Sequence, residues 1–321
     1  MIHSEIGLNR RALLGAAVAA GAAGLAACAT APPHQRDRFG TAADLPLDDP
    51  DFHLDLFRRM SASNRDGEEA FLRYSGTTFA MIDGAEAVPL YGMEGFSPSR
   101  TIRQPDGTVR FLAMEFGLHT DLRTGDVLEE WTNPLTDETL PVWHLRNGPL
   151  NYPIDPNVAL NSAGWRLLVN PVGMRRDGFF MPVDVEGDTL VVALDAQARR
   201  KNPLDPAEWP RASSGAELVY SEHNTWRMAL ADVLDPDVHS LPAMAAWHSH
   251  KQWRPWMMME GRPGRIYNHL VAHKVSGPEA LPPKIRAYAE IHFPDFLSAP
   301  KEWTGAYQDN WRHFIEARSP A

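Results

Sequence analysis

The sequence predicts a mainly β protein: an antiparallel, barrel-like or strongly curved sheet with short helices near its N- and C-terminal ends. Three observations carry that expectation. From Glu69 to about Val192, apolar and polar residues alternate with a period of two, as half-buried strands do. Turn pairs such as Asp83-Gly84 and Asp106-Gly107 punctuate the alternation at strand-length intervals. Helical spacing is confined to short stretches near the two ends. Many short strands point to closure or strong curvature, because a closed sheet hides its edges and leaves a cavity inside.

The elements follow in order. Phe52, Leu56 and Met60 fall on one face of a helix over 51–61, with Asp49 or Asp51 as its cap. Residues 71–74 and 77–81 read as two strands, and 109–118 as another. Arg123-Thr124-Gly125-Asp126 turns the chain. Residues 127–131 and 139–145 then form the arms of a hairpin around Asn133-Pro134-Leu135-Thr136. A further pair, 178–185 and 188–193, meets across Glu186-Gly187. The stretch 202–216 is proline-rich and aperiodic, so it is a loop, either a lid or a connection. Strand returns over 217–230, and 255–275 folds back on itself at Gly261-Arg262-Pro263-Gly264. Helical patterns close the chain over 283–291 and 303–318, where Tyr307, Trp311, Phe314 and Ile315 share a face. No dinucleotide-binding or P-loop glycine pattern is present.

The first 27 residues read as an export signal. Asn9-Arg10-Arg11 precedes an uncharged run, 12–27, made mostly of alanine and glycine. That run is shorter than the ~20 residues a spanning helix needs. Arg10 and Arg11 followed by Ala12-Leu13-Leu14 resemble a twin-arginine signal, although Asn9 stands where Ser or Thr is more usual. Leu25-Ala26-Ala27-Cys28 resembles the lipobox of bacterial lipoproteins, which implies that Cys28 carries the lipid and becomes the mature N-terminus. Two or more acyl chains hold a protein stably on a membrane. Ala29 stands where an aspartate is often associated with inner-membrane retention, which favours the outer membrane, facing the periplasm. The expected layout is a signal over 1–27, a tether over 28–50 and a single β-rich domain over 51–321. The expected partners are the export machinery and membrane lipid.

Removing residues 1–27 takes two arginines and one glutamate from 31 basic and 41 acidic residues, leaving a formal charge of −11. That balance gives no basic stripe, so nucleic acid is not an expected partner. Cys28 is the only cysteine, which excludes a disulfide within the chain and any cysteine metal site.

Glu130-Trp131-Thr132-Asn133-Pro134, Pro141-Val142-Trp143-His144 and the run from Pro255 to Gly264 together resemble a proteobacterial family of exported proteins classed only as a domain of unknown function. The resemblance covers most of the mature chain and implies no activity.

Three sets of side chains carry candidate chemistry. Glu115, His119, Asp121 and His144 lie on or beside predicted strands; a buried carboxylate with an imidazole performs acid–base work. Glu222 and His223 join them as catalytic candidates. His248 and His250 share a strand face, as do His269 and His273. With Glu260 or Glu222, His248, His250 and His269 are candidate ligands for a transition metal such as zinc, iron or copper. The plainer reading is hydrogen-bonded histidines in a tryptophan-rich sheet, and the motif His-Glu-x-x-His is absent. Trp226, Arg227, Trp256, Met258 and Tyr267 are candidates for an adaptable apolar pocket. If 256–259 is a strand, Trp256 and Met258 line one side of it. Arg227, Arg254, Arg262 and Arg265 pair either an acidic ligand or the abundant local carboxylates. No Gly-x-Ser-x-Gly elbow supports a serine hydrolase. Three functional readings stand: a cavity that binds a small apolar or aromatic molecule, a His/Glu-dependent lyase, isomerase or hydrolase with or without a metal, and a structural envelope protein.

Overall fold

The period-two stretches form strands that pair into one antiparallel sheet. The computed structural model describes residues 45–154, 165–168, 179–305 and 308–318. Strands β1 (Glu69–Met81), β2 (Val88–Arg103), β3 (Val109–Thr120) and β6 (Leu145–Ile154) form a first meander. Strands β9 (Thr189–Lys201), β10 (Glu217–Ala229), β11 (Ala243–Lys251) and β12 (Arg265–Val275) form a second. The two are joined where β1 pairs with β12, from Phe71 opposite Val275 to Met81 opposite Arg265. Short strands β7 (Trp165–Leu168) and β8 (Val183–Glu186) extend the sheet beside β9, making ten strands. The sheet curls into a half-barrel with short helices at both ends of the chain. A separate hairpin, β4 (Glu130–Thr132) and β5 (Thr139–Pro141), stands apart from it.

Side-chain alternation sorts each strand into a concave and a convex face. On the concave side, Tyr74 can lie flat only because Gly95 is opposite: an added Cβ there would sit 2.0 Å from the Tyr74 ring. On the convex side of β2 and β3, Phe96, Phe116 and Leu118 are covered by Ile285 and Ala289 of helix α3 (Pro283–His292) and by Leu281 and Phe293 flanking it.

The two ends of the half-barrel are filled differently. Helix α1 (Pro50–Ser61) closes one, packing Leu56, Phe57 and Met60 against Phe111, Leu190, Val192, Leu194 and Met228. Its cap is Asp49, whose carboxylate accepts from the Asp51 N–H at 2.9 Å. The buried Arg59 ties α1 to the short helix α2 (Leu230–Leu234). Its guanidinium donates to the carbonyls of Val238, Val233, Asp232 and Asp235 at 2.7 to 2.9 Å. An aromatic plug fills the other end. It comprises Tyr91, Trp131, Trp253, Trp256 and Met257, with Trp311 and Phe314 from helix α4 (Asn310–Arg318). The β4–β5 hairpin is pinned to this plug: Trp131 donates to the Leu90 carbonyl and Asn133 to the Met257 carbonyl, both at 3.2 Å.

Several elements differ from their sequence expectation. Residues 71–81 are one continuous strand, because Ser75 and Gly76 stay extended in the ladder to β12. The hairpin arms are three residues each. Residues 255–257 form a 3₁₀ turn, not a strand: Pro255 sits at its start and Met258, at φ 51°, ends it. Leu230 begins α2 instead of ending β10. Helix α4 begins at Asn310, not at 303; Tyr307 and Gly178 lie outside the described residues.

Candidate functional site

Between the two filled ends the concave face encloses a cavity of about 320 Å³. Its walls combine aromatic and aliphatic surface with a band of polar groups. Trp226 from β10 and Trp247 from β11 provide the aromatic surface, and Leu72, Phe111, Leu150 and Leu194 the rest of the apolar wall. Phe57 and Met60 of α1 form the floor.

The polar band is organised in pairs. The Tyr74 hydroxyl donates to Glu115 at 3.0 Å, and the Asn147 amide donates to the other oxygen of the same carboxylate at 2.6 Å. Burial and the Glu115 charge raise the Tyr74 phenol well above its ordinary pKa, so it stays a donor. Lys251 meets Glu222 at 2.7 Å, both side chains largely enclosed. Thr78 donates to Asn268, which donates to Ser249, at 2.8 and 2.9 Å. Arg254 completes the lining and lies 5.4 Å from the centre of the Trp311 ring.

The structure separates the carboxylate–imidazole pairs expected from the sequence. Glu115 lies in the cavity, while His119 sits four residues on along β3, roughly 13 Å at strand rise. His119 and His144 do meet, inside the aromatic plug. The His119 backbone N–H donates to His144 Nδ1 at 3.1 Å, and the two Nδ1 atoms are 3.4 Å apart. Among the described residues, both Nε2 atoms are buried without a partner. Glu222 faces the cavity, but His223 is its strand neighbour and points outward to Asp195 at 2.7 Å, so the two do not cooperate. Asp121 caps a surface turn through the N–H groups of Arg123 and Thr124.

The metal candidates fall on the convex face. His248 stacks on His269 with ring centres 4.8 Å apart and bonds the Tyr267 hydroxyl through Nδ1 at 2.7 Å. His250 stacks on Tyr267 at 4.8 Å. Glu260 is elsewhere, in an exposed turn beside Arg211 at 3.2 Å. Among the described residues no group of three or more His, Cys, Asp or Glu is placed to hold a metal. Of the pocket candidates, Trp226 lines the cavity. Arg227 and Tyr267 belong to the convex face by strand parity, and Trp256 and Met258 pack within the plug because their segment is a turn. Arg10, Arg11 and Cys28 lie outside the described residues.

Sequence reasoning did not single out Tyr74, Asn147, Lys251 or Asn268. Tyr74 and Asn147 had one available signal, strand parity with Leu72 and Leu145, but only long-range pairing shows that this parity faces inward.

A curled antiparallel half-barrel with such a lining belongs to the class of β-rich folds whose interior fits a binding cavity. Within that class, the chain belongs to the family described as protein of unknown function (DUF1838), whose model matches residues 67–317. No curated protein and no solved structure matches the chain.

The paired histidines generate a pH prediction. Burial, with help from Arg146 and His292, lowers the His144 pKa to about 3, and burial together with His144 lowers that of His119 well below its ordinary value. The unfolded chain therefore binds protons that the folded chain refuses between about pH 6.5 and pH 3. Stability is lost as pH falls through that window. In urea titrations at pH 7 and pH 4.5, the wild-type midpoint drops more than that of His144→Phe. Equal drops contradict the assignment.

Proposed function

We propose that the protein is an exported, lipid-anchored, periplasmic binder of a small molecule with an apolar or aromatic body. The cavity between the two filled ends carries this reading. Its volume of about 320 Å³ lies at the lower end of the range for small-molecule sites, and two tryptophans line it. A purely structural interior packs closely, whereas a cavity of this size with a polar band suits a bound small molecule. Export by the twin-arginine route and a lipid on Cys28 rest on the N-terminal residues Arg10, Arg11, Leu25, Ala26, Ala27 and Cys28.

A second reading, an enzyme, rests on the Tyr74–Glu115 contact in the cavity wall. There a carboxylate base and a phenol acid stand side by side, the pairing that proton-transfer chemistry of lyase or isomerase type requires. The buried histidines of the plug play no part in it.

Two measurements test the main reading. Naphthalene-based probes titrated into the mature domain bind saturably at one site and quench tryptophan fluorescence. Ala113 of β3 and Ala196 of β9 line opposite walls of the cavity; filling it with Ala113→Trp or Ala196→Phe weakens that binding at least tenfold, and unchanged affinity in a folded variant contradicts the cavity as the site. For the anchor, Cys28→Ser moves the exported protein from the detergent phase to the aqueous phase on phase separation. Unchanged partitioning removes lipidation from the account.

A further inference from the structure

We infer that the ligand is an organic anion, an apolar or aromatic body bearing one carboxylate, and that Arg254 is the residue that receives its charge. This inference rests on the binding reading above and names the class of ligand.

Arg254 is 3% exposed and lines the cavity. Among the described residues its guanidinium has no hydrogen-bond acceptor and no carboxylate within ion-pair distance; the Trp311 ring beneath it is its one close contact of charge. The cavity's own carboxylates are already engaged. Glu222 is held by Lys251, and Glu115 by Tyr74 and Asn147. Arg59, also buried, shows what a satisfied guanidinium looks like: it donates to four backbone carbonyls, and the half-buried Arg200 pairs with Asp309. A buried guanidinium whose N–H groups have no acceptor is costly, and proteins avoid it unless a partner arrives. The open side of Arg254 is the cavity.

The chemistry of the partner follows. A guanidinium is planar, and with its Cζ over the Trp311 ring at 5.4 Å it keeps N–H groups that a carboxylate can engage with two parallel hydrogen bonds. A neutral head group gives the guanidinium N–H groups weaker acceptors than a carboxylate does, and a cationic one is repelled, so the arginine selects by penalty as well as by attraction. The Lys251–Glu222 pair is already neutral and adds no net charge to the cavity. Trp226 and Trp247 offer flat apolar surface for the body of the same molecule.

The test uses three probes of one shape, 2-naphthoate, 2-naphthamide and 2-naphthylmethylammonium, titrated calorimetrically into wild type, Arg254→Lys and Arg254→Gln. Wild type prefers the acid over the amide at least tenfold and does not bind the ammonium. Arg254→Gln loses the preference while keeping its affinity for the amide. Arg254→Lys keeps part of it, as a point charge without the planar fork would. Thermal melting of the ligand-free proteins provides a second readout. Removing an uncompensated buried charge raises the Tm of Arg254→Gln above wild type, whereas an arginine that merely holds the fold together lowers it. Equal wild-type affinity for acid and amide, or a preference that survives Arg254→Gln, overturns the ligand class and leaves the binding reading standing. Failure of all three probes to bind overturns both.

Discussion

The cavity depends on one long-range pairing, that of β1 with β12. Each meander alone would be a four-stranded sheet with a single concave face open to water. Joining them edge to edge brings Glu115 of the first meander and Glu222 of the second into one enclosed volume. The seam is tight. At Gly76 an added Cβ would stand 2.1 Å from the His269 carbonyl oxygen, so the closest approach of the two strands needs a residue without a side chain. Once the sheet is curled, the two ends are filled by material from opposite parts of the chain. Helix α1 enters from the N-terminal side, and the aromatic plug gathers the β4–β5 hairpin, the 3₁₀ turn at Pro255 and the terminal helix α4. The cavity occupies the middle.

Polar groups inside this middle follow the usual rule that buried charge is compensated. Lysine meets glutamate, tyrosine and asparagine share a carboxylate, and threonine, asparagine and serine form a chain. Arg254 departs from that rule among the described residues, and it departs where the wall faces the cavity. The plug shows the opposite treatment of titratable groups: His119 and His144 are kept neutral by burial among aromatic rings, which suits them to packing and not to proton transfer.

Much of the fold class was legible in the sequence for a local reason. Period-two alternation and Asp-Gly turns reflect the pleat and the hairpin, both properties of neighbouring residues. The helix at 51–61 was legible from its spacing and its Asp cap, which the structure places at Asp49. The candidate site was legible only in part. Parity correctly put His248 and His250 on one face, but β11 alternates tryptophan and serine with histidine, so both faces look equally polar and aromatic. Which one turns inward is settled by distant pairing, and the histidines turn out. Trp256 and Met258 were misplaced because an apolar run of five residues carries no period; the proline that opens it was the overlooked signal. Glu222 and His223 are neighbours in sequence and on opposite sides of the wall for the same reason that makes a strand a strand.

The central claim is that a buried arginine without a hydrogen-bond acceptor awaits a ligand acid inside this half-barrel. An electron-density map of the protein purified from its native host tests it most directly. The account predicts an organic molecule in the cavity, its flat body against Trp226 and Trp247 and its acidic group within hydrogen-bond distance of Arg254. A collapsed or water-filled cavity in which Arg254 has swung to pair with Glu115 or Glu222 would contradict it.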